Sequence, residues 1–262
     1  MNVRKPTGLP VILTIAGYDP SSGAGITADI KTISAHKCYG VSCITALTVQ
    51  STRGVKRVEP VEGRIITEML EELVNDSDIA AIKIGMLGSA EAARAVIAFL
   101  RRNRVAHVVL DPVIRSSSGA ELLARDGIQI LKEKMLDLTT VITPNIAEAG
   151  ELTGLSISVD EQMKAAAEAL HALGARNVVI TGGHLDPPVD LVSREGRDPV
   201  FLVGSRILST STHGTGCAYS TSLACHLVLG KGLLDAARAA KSYVESAIRN
   251  APGIGKGIGP LL

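Results

Sequence analysis

The chain has 262 residues, with 27 lysines and arginines against 26 aspartates and glutamates, a net charge of +1. That balance excludes a polybasic nucleic-acid binder and an acidic-tail protein. Four tyrosines, two phenylalanines and no tryptophan leave nothing to build a base-stacking platform, whereas glycine, at 26 residues, exceeds its usual share of roughly 7%.

From the N-terminus, Arg4 and Lys5 precede a short apolar run, 11–16, that leads into Gly17-Tyr18-Asp19. No small-residue cleavage site follows, so the run reads as a first strand and not as a signal peptide. Further short runs rich in Val, Ile and Ala lie at 41–49, 80–84, 105–110, 140–142 and 177–181. Continuous apolar runs of this kind are parallel strands covered on both faces. Between them, Ala93, Val96, Ile97 and Leu100 follow helical spacing after a Ser89 cap, and Arg101-Arg102-x-Arg104 reads as that helix's solvated end. Met163, Ala166, Ala167 and Leu170 repeat the spacing behind a capping box, Ser158-Val-Asp-Glu161, and Gly174 stops the helix. After Thr181 a hairpin is expected from 191–193, Glu195-Gly196 and 201–203, then helices over about 218–229 and 233–251.

Strands alternating with helices imply βαβ units wound on both faces of one sheet, and the absence of a linker or repeat implies a single domain over 1–262. A chain this long hides about 70–75% of the surface its unfolded form exposes and needs no staple. Cys38, Cys43, Cys217 and Cys225 form no Cys-x-x-Cys pair, which points to a reduced setting. No run reaches the roughly 18 apolar residues of a membrane span, so the expectation is a cytoplasmic protein with neither membrane nor nucleic-acid partners.

Ligands of a parallel sheet bind beyond the carboxyl ends of its strands, so the polar and glycine-rich segments there are rims of one crevice. The loop Gly17-Tyr-Asp-Pro-Ser-Ser-Gly23-Ala-Gly25 clears backbone for close approach, and the following helix carries Asp29, either a ligand contact or a first-turn acid favoured by the dipole. Gln50 ends the second strand as an amide that both donates and accepts; a bond to a loop is the alternative. Asp111-Pro112 puts a carboxylate at the crevice. Asn145 and Glu148 in Thr143-Pro-Asn-x-x-Glu148 face the same way, suiting magnesium held largely through water or a plain helix cap. Thr212-His-Gly-Thr-Gly-Cys217 opens an apolar helix with two glycines, an anion-binding geometry in which a thiol at Cys217 is expected to have a lowered pKa. A small buried hydrophobe is the alternative for Cys217.

These segments, in this order, resemble the hydroxymethylpyrimidine/phosphomethylpyrimidine kinases of thiamine biosynthesis, within the ribokinase-like superfamily. The resemblance runs through residues 13–29, Ile44-Thr-Ala-Leu-Thr-Val-Gln50, Lys83-Ile-Gly-Met86, Leu110-Asp-Pro-Val113, Thr143–Glu148, Gly182-Gly-His184, Thr212–Cys217 and Gly255–Pro260. It implies a three-layer α/β/α sandwich around a mostly parallel sheet. It further implies that Gln50 and Asp29 bind the aminopyrimidine, with Gly17, Met86 and Val113 lining its pocket. Asp111, Asn145 and Glu148 would face magnesium and the ATP phosphates, Asp111 and Glu148 through water. Gly214, Thr215 and Gly216 would hold the transferring phosphoryl group, and Cys217 would take the proton of the substrate hydroxymethyl.

Two departures stand out. The family commonly has lysine where this chain has Thr181 and Ser117, and Arg115 is the candidate substitute. The implied cofactors are ATP and magnesium, with potassium as an optional ion, and the implied assembly is a homodimer. Pyridoxal kinases usually carry aspartate at the place of Cys217, which favours the pyrimidine. The competing readings are a pyridoxine or pyridoxal kinase, a catalytically reduced pyrimidine-binding paralogue, and a cysteine hydrolase pairing Cys217 with His213.

Overall fold

The computed structural model describes residues 8–261, so Arg4 and Lys5 lie outside the described residues. The chain runs β1 (Val11–Tyr18), α1 (Gly25–Ala35), β2 (Tyr39–Ser51), β3 (Gly54–Pro60), α2 (Gly63–Asp76), β4 (Ile79–Ile84), α3 (Ala90–Arg102) and β5 (His107–Leu110). It continues with α4 (Arg125–Lys134), a 3₁₀ turn (Leu136–Leu138), β6 (Val141–Ile142), α5 (Ile146–Thr153), α6 (Asp160–Ala172) and β7 (Asn177–Gly182). The hairpin β8 (Val189–Arg194) and β9 (Val200–Val203) follows, then α7 (Thr215–Val228) and α8 (Leu233–Arg249).

One nine-stranded sheet results, in the order β3-β2-β1-β4-β5-β6-β7-β8-β9. From β2 to β7 every pairing is parallel, and β3, β8 and β9 add antiparallel edges. Strand side chains alternate between two helical layers. Leu13, Ile15, Ile82, Ile84 and Leu110 pack with residues of α2 through α6, whereas Ile12, Ala81, Val109 and Val179 pack with residues of α1, α7 and α8. Each fully buried Ile or Leu contributes about 1.5–3 kcal/mol, and both layers draw on it, which is why the strands read as unbroken apolar runs.

Several local expectations need correction. β3, α2 and α4 have no counterpart in the sequence reading. β3 is an exposed edge carrying Lys56, Arg57 and Glu59, the charged kind that resists pairing with another chain, and it lacks an apolar run. The cap of α6 is not Ser158 with Glu161. Gln162 Oε1 instead accepts from Ser158 N at 2.7 Å, Ser158 Oγ at 3.1 Å and Val159 N at 3.3 Å. Ser89 does cap α3, accepting from Ala92 N at 3.1 Å. α7 starts three residues earlier than expected, so Thr215, Gly216 and Cys217 form its first turn.

Candidate functional site

β1 ends in Tyr18, and the next residue gathers the glycine loop. Asp19 accepts hydrogen bonds from Ser21 N (2.8 Å), Ser21 Oγ (2.7 Å), Gly23 N (3.2 Å), Ala24 N (2.9 Å) and His213 Nε2 (2.8 Å). Burial alone would raise its pKa, but the bonds from His213 and Ser21 outweigh it and hold the carboxyl below the usual range. Two glycines make this packing possible. Gly25 at φ +60° and Gly214 at φ +87° are left-handed, and a side chain on either would run into backbone, that of Gly17 and of Gly23. The starts of α1 and α7 thus meet backbone to backbone.

Beneath that contact lies a buried polar cluster. Lys83, fully buried near the end of β4, places Nζ 3.1 and 3.0 Å from the two oxygens of Asp29 and 3.9 Å from Asp111 Oδ2. Thr14 and Thr221 donate to Asp29 at 2.5 and 2.8 Å, and Ser220 donates to Asp111 at 3.0 Å. An ion pair out of water is tolerable only when its remaining lone pairs are met, and those of Asp29 are. The first-turn reading of Asp29 is overturned, because α1 has no acid in its first turn and the carboxylate is committed inward. Lys83 had no role in the sequence reading. Its signal was a lone cation inside Ile79-Ala-Ala-Ile-Lys-Ile84.

Cys217 sits half-buried in the first turn of α7. The lowered pKa expected there is wrong. Burial pushes the thiol up to about 12; Lys83 pulls it down, but Asp111 and Asp29 push it up again. Burial likewise raises Asp111, against the pull of Lys83. Asn145 caps α5, accepting from Glu148 N at 2.9 Å, while Glu148 Oε2 accepts from Asn145 N at 2.9 Å. The plain-cap reading of Asn145 is therefore realised in full. Burial and then the Asp111 charge push Glu148 up to about 8. Thr181 bridges in parallel to Asn145, its N–H donating to Pro144 O at 2.9 Å. Arg115 is exposed, 3.7 Å from Glu151 on α5.

Gly17 lies against Met86, where a side chain would meet Sδ at 2.9 Å, and Met86 shares a small apolar cluster with Val113 and Leu122. A cleft of about 130 Å³ is lined by Gln50, Thr52, Ser117, His213 and Ile258, and Gly17, Met86 and Val113 are not among its lining residues. Gln50 Nε2 is 3.1 Å from His213 Nε2 and its Oε1 is 3.1 Å from Thr48 Oγ1, while Ser117 Oγ is 3.2 Å from His213 Nδ1. Both ring nitrogens of His213 thus have partners other than Cys217, and nothing in these contacts supports the hydrolase pairing. The tail closes the cleft: Ile258 N donates to Thr52 O at 2.8 Å and His213 N to Gly259 O at 3.0 Å. A larger hollow, about 630 Å³ between α6 and the β8–β9 hairpin, shares none of these residues.

The Phosphomethylpyrimidine kinase family model matches residues 19–262. The hydroxymethylpyrimidine/phosphomethylpyrimidine kinase of Haemophilus influenzae is 43% identical over 255 residues, 95% of this chain and 94% of that protein. A thiamine biosynthesis bifunctional protein of Geobacter sulfurreducens is also 43% identical, over 99% of this chain, which spans about half (53%) of that longer relative. Among solved structures, a phosphomethylpyrimidine kinase of Clostridium difficile superposes with a TM-score of 0.80 at 38% identity, covering 91% of this chain and 99% of that one. A pyridoxal kinase of Bacillus subtilis, solved as an ADP complex, gives 0.87 at 31% identity, covering 96% of each.

Proposed function

The chain belongs to the phosphomethylpyrimidine kinase family, and from that premise we propose that it transfers the γ-phosphoryl group of ATP to 4-amino-5-hydroxymethyl-2-methylpyrimidine and then to its monophosphate, in thiamine biosynthesis. It is a phosphotransferase with a ribokinase-like α/β/α fold. The observation that carries the reading is the setting of Cys217, in the first turn of α7 and under the influence of Lys83 and Asp111. Gly216, which no other group crowds, stands beside it.

Phosphoryl transfer asks the protein for positioning and for stabilisation of charge spread over the phosphoryl oxygens. The N–H groups of Gly214, Thr215 and Gly216, at the positive end of the α7 dipole, suit that charge. Cys217 is the group to receive the hydroxymethyl proton. A thiol pushed up to about 12 keeps its own proton at neutral pH, so that role requires Cys217 to be deprotonated first. Lys83 favours the thiolate and the charge on Asp111 opposes it.

Asp111 and Glu148 are both raised by burial, and the Asp111 charge adds to the rise at Glu148; Lys83, 3.9 Å from Asp111, is shared with Asp29, so one cation does not offset these carboxylates and the pair fits magnesium. Among the described residues no group of three or more metal-binding side chains stands ready, so water would supply most ligands. Magnesium held there would neutralise the two carboxylates and the phosphates. Asn145, Thr181 and Arg115 are the proposed nucleotide contacts, and Gln50, Gly17, Met86 and Val113 those of the pyrimidine. Asp29, buried on Lys83, fits a supporting role better than direct contact. Potassium and a homodimer rest on the family resemblance, and a cytoplasmic location on the unpaired cysteines and the lack of a signal-like or membrane-length apolar run in the sequence. No helix among the described residues is long and apolar enough to cross a membrane. One kinase domain over 1–262 is supported by the single sheet.

ADP release with hydroxymethylpyrimidine, its monophosphate and pyridoxal, each with ATP and magnesium, tests the proposal. Release with the first two is expected; release with pyridoxal alone would favour the second reading, a pyridoxal kinase, which the Bacillus subtilis superposition keeps in view. Pyrimidine binding with no ADP release from any of the three would favour the catalytically reduced paralogue. Cys217→Ala is expected to cut turnover strongly with pyrimidine binding retained, and wild-type turnover would remove Cys217 from the mechanism.

A further inference from the structure

We infer that His213 sets the polarity of the Gln50 amide, and through it which way round an aminopyrimidine lies in the cleft. The ligand half rests on the kinase reading above; the protein half stands on hydrogen bonding alone. His213 Nε2 lies 2.8 Å from Asp19 Oδ2, and both residues are buried. The remaining partners of that carboxylate, Ser21, Gly23 and Ala24, are all donors. A carboxylate does not face a bare ring nitrogen at such a distance, so Nε2 carries a hydrogen whether the imidazole is neutral or cationic. The Ser117 hydroxyl at Nδ1 serves either state, donating to one and accepting from the other.

A protonated Nε2 has no lone pair to offer a donor, so the amide atom of Gln50 that is 3.1 Å away is the acceptor Oε1, sharing with Asp19 the one hydrogen of Nε2. At the other end, Thr48 Oγ1 uses its one hydrogen on Tyr18 O at 2.9 Å. It has only lone pairs left for the amide atom 3.1 Å away, which must be the donor Nε2. Both ends give the same answer, although they rest on different partners. The amide is turned end for end from the arrangement in which Nε2 faces His213. Its two ends have the same size, so the partners decide.

The free edge of Gln50 consequently offers an acceptor on the His213 side and a donor on the Thr48 side. An amino group beside a ring nitrogen is the complement, a donor and an acceptor side by side, with the amino on the His213 side. A pyridine nitrogen flanked by carbons gives the same edge one hydrogen bond instead of two. His213 is thus a positioning residue for substrate selection. A site built to pair with a substrate N–H discriminates strongly against its absence, since its own polar group is then left unpaired.

Two measurements test this. Imidazole ¹⁵N shifts of the free, histidine-labelled protein, with the His213 signals assigned by their loss in His213→Gln, should show hydrogen on Nε2. A bare Nε2 with the hydrogen on Nδ1 overturns the inference with no substrate present. In kinetics, the unaltered protein should prefer hydroxymethylpyrimidine over its analogue lacking the amino group by at least tenfold in kcat/KM. His213→Leu should lose most of that preference through the pyrimidine KM, with the ATP KM within twofold of normal. His213→Gln, whose amide can donate from the place of Nε2–H, should keep it. An undiminished preference in a folded His213→Leu protein overturns the inference; if that variant fails to fold, the nitrogen shifts decide. If the unaltered protein releases no ADP from either compound, the kinase reading falls and takes the ligand half with it, while the shifts still decide the amide.

Discussion

Inside the six residues of β4, Lys83 carries a charge that meets no water and answers two carboxylates, Asp29 at 3.0 Å and Asp111 at 3.9 Å. Burial by itself would lower its pKa, yet Asp29, and behind it Cys217 and Asp111, raise it well above the ordinary lysine value, so it is charged throughout the usable pH range. Removing one partner of a buried ion pair leaves the other uncompensated, at a cost of about 3–5 kcal/mol. Lys83→Met is therefore expected to lower the unfolding free energy by that much, read as a lower urea midpoint at unchanged m-value, and Lys83→Met/Asp29→Asn to recover part of it. An unfolding free energy for Lys83→Met within about 1 kcal/mol of wild type, against the roughly 3–5 kcal/mol loss expected, would show that the pair contributes nothing net. Ser117 and Thr181, where the family resemblance implies lysine, stand on a histidine nitrogen and beside the α5 cap. The positive charge of the site lies instead beneath it, in Lys83.

The elements that shape the site are the two helix starts that touch, α1 and α7. Gly214 is where they meet, left-handed at φ +87° and pressed on the backbone of Gly23. Gly214→Ala adds both a disfavoured backbone conformation, about 1–3 kcal/mol, and a clash with main chain that has no side-chain freedom to yield. Loss of stability together with a larger loss of turnover is expected, because the displaced turn carries Thr215, Gly216 and Cys217; a stable variant with normal turnover would contradict this. Element by element, the parallel strands were legible because burial on both faces leaves them uniformly apolar. α2 is equally legible, since Ile66 and Leu70 face the core one turn apart. β3 was not legible. Its face is exposed and charged, so neither alternation nor an apolar run marks it.

For the whole molecule, titration follows what the packing of α1, α7 and α8 leaves dry. His226 lies edge-on to His36, ring centres 4.9 Å apart, and burial followed by the His36 and Lys231 charges lowers its pKa to about 4. The sign is that of a base held neutral: the stability it contributes is complete above the unfolded value of about 6.5 and is lost as pH falls toward about 4. Glu148 works in the opposite sense, its contribution fading as pH rises from 4.5 toward about 8, so the raw profile mixes the two. The difference between wild type and His226→Gln isolates the histidine: the gap in Tm should narrow between pH 7 and pH 4, and a constant gap would contradict the assignment.

The sequence by itself determined the alternation of strand and helix, the loops that carry the chemistry and the family they belong to, because apolar periodicity and glycine placement are local properties of the chain. It also marked Asp111, Asn145, Glu148 and Cys217 as neighbours of one crevice, since the carboxyl ends of parallel strands converge by rule. Only the tertiary structure decided what those groups do to one another. Lys83, Asp29 and Thr221 lie far apart in the chain, and the raised thiol of Cys217, the five donors on Asp19 and the turned amide of Gln50 all arise from through-space neighbours. A pKa or an amide orientation depends on burial and on the charges and donors around it, and no stretch of sequence contains those.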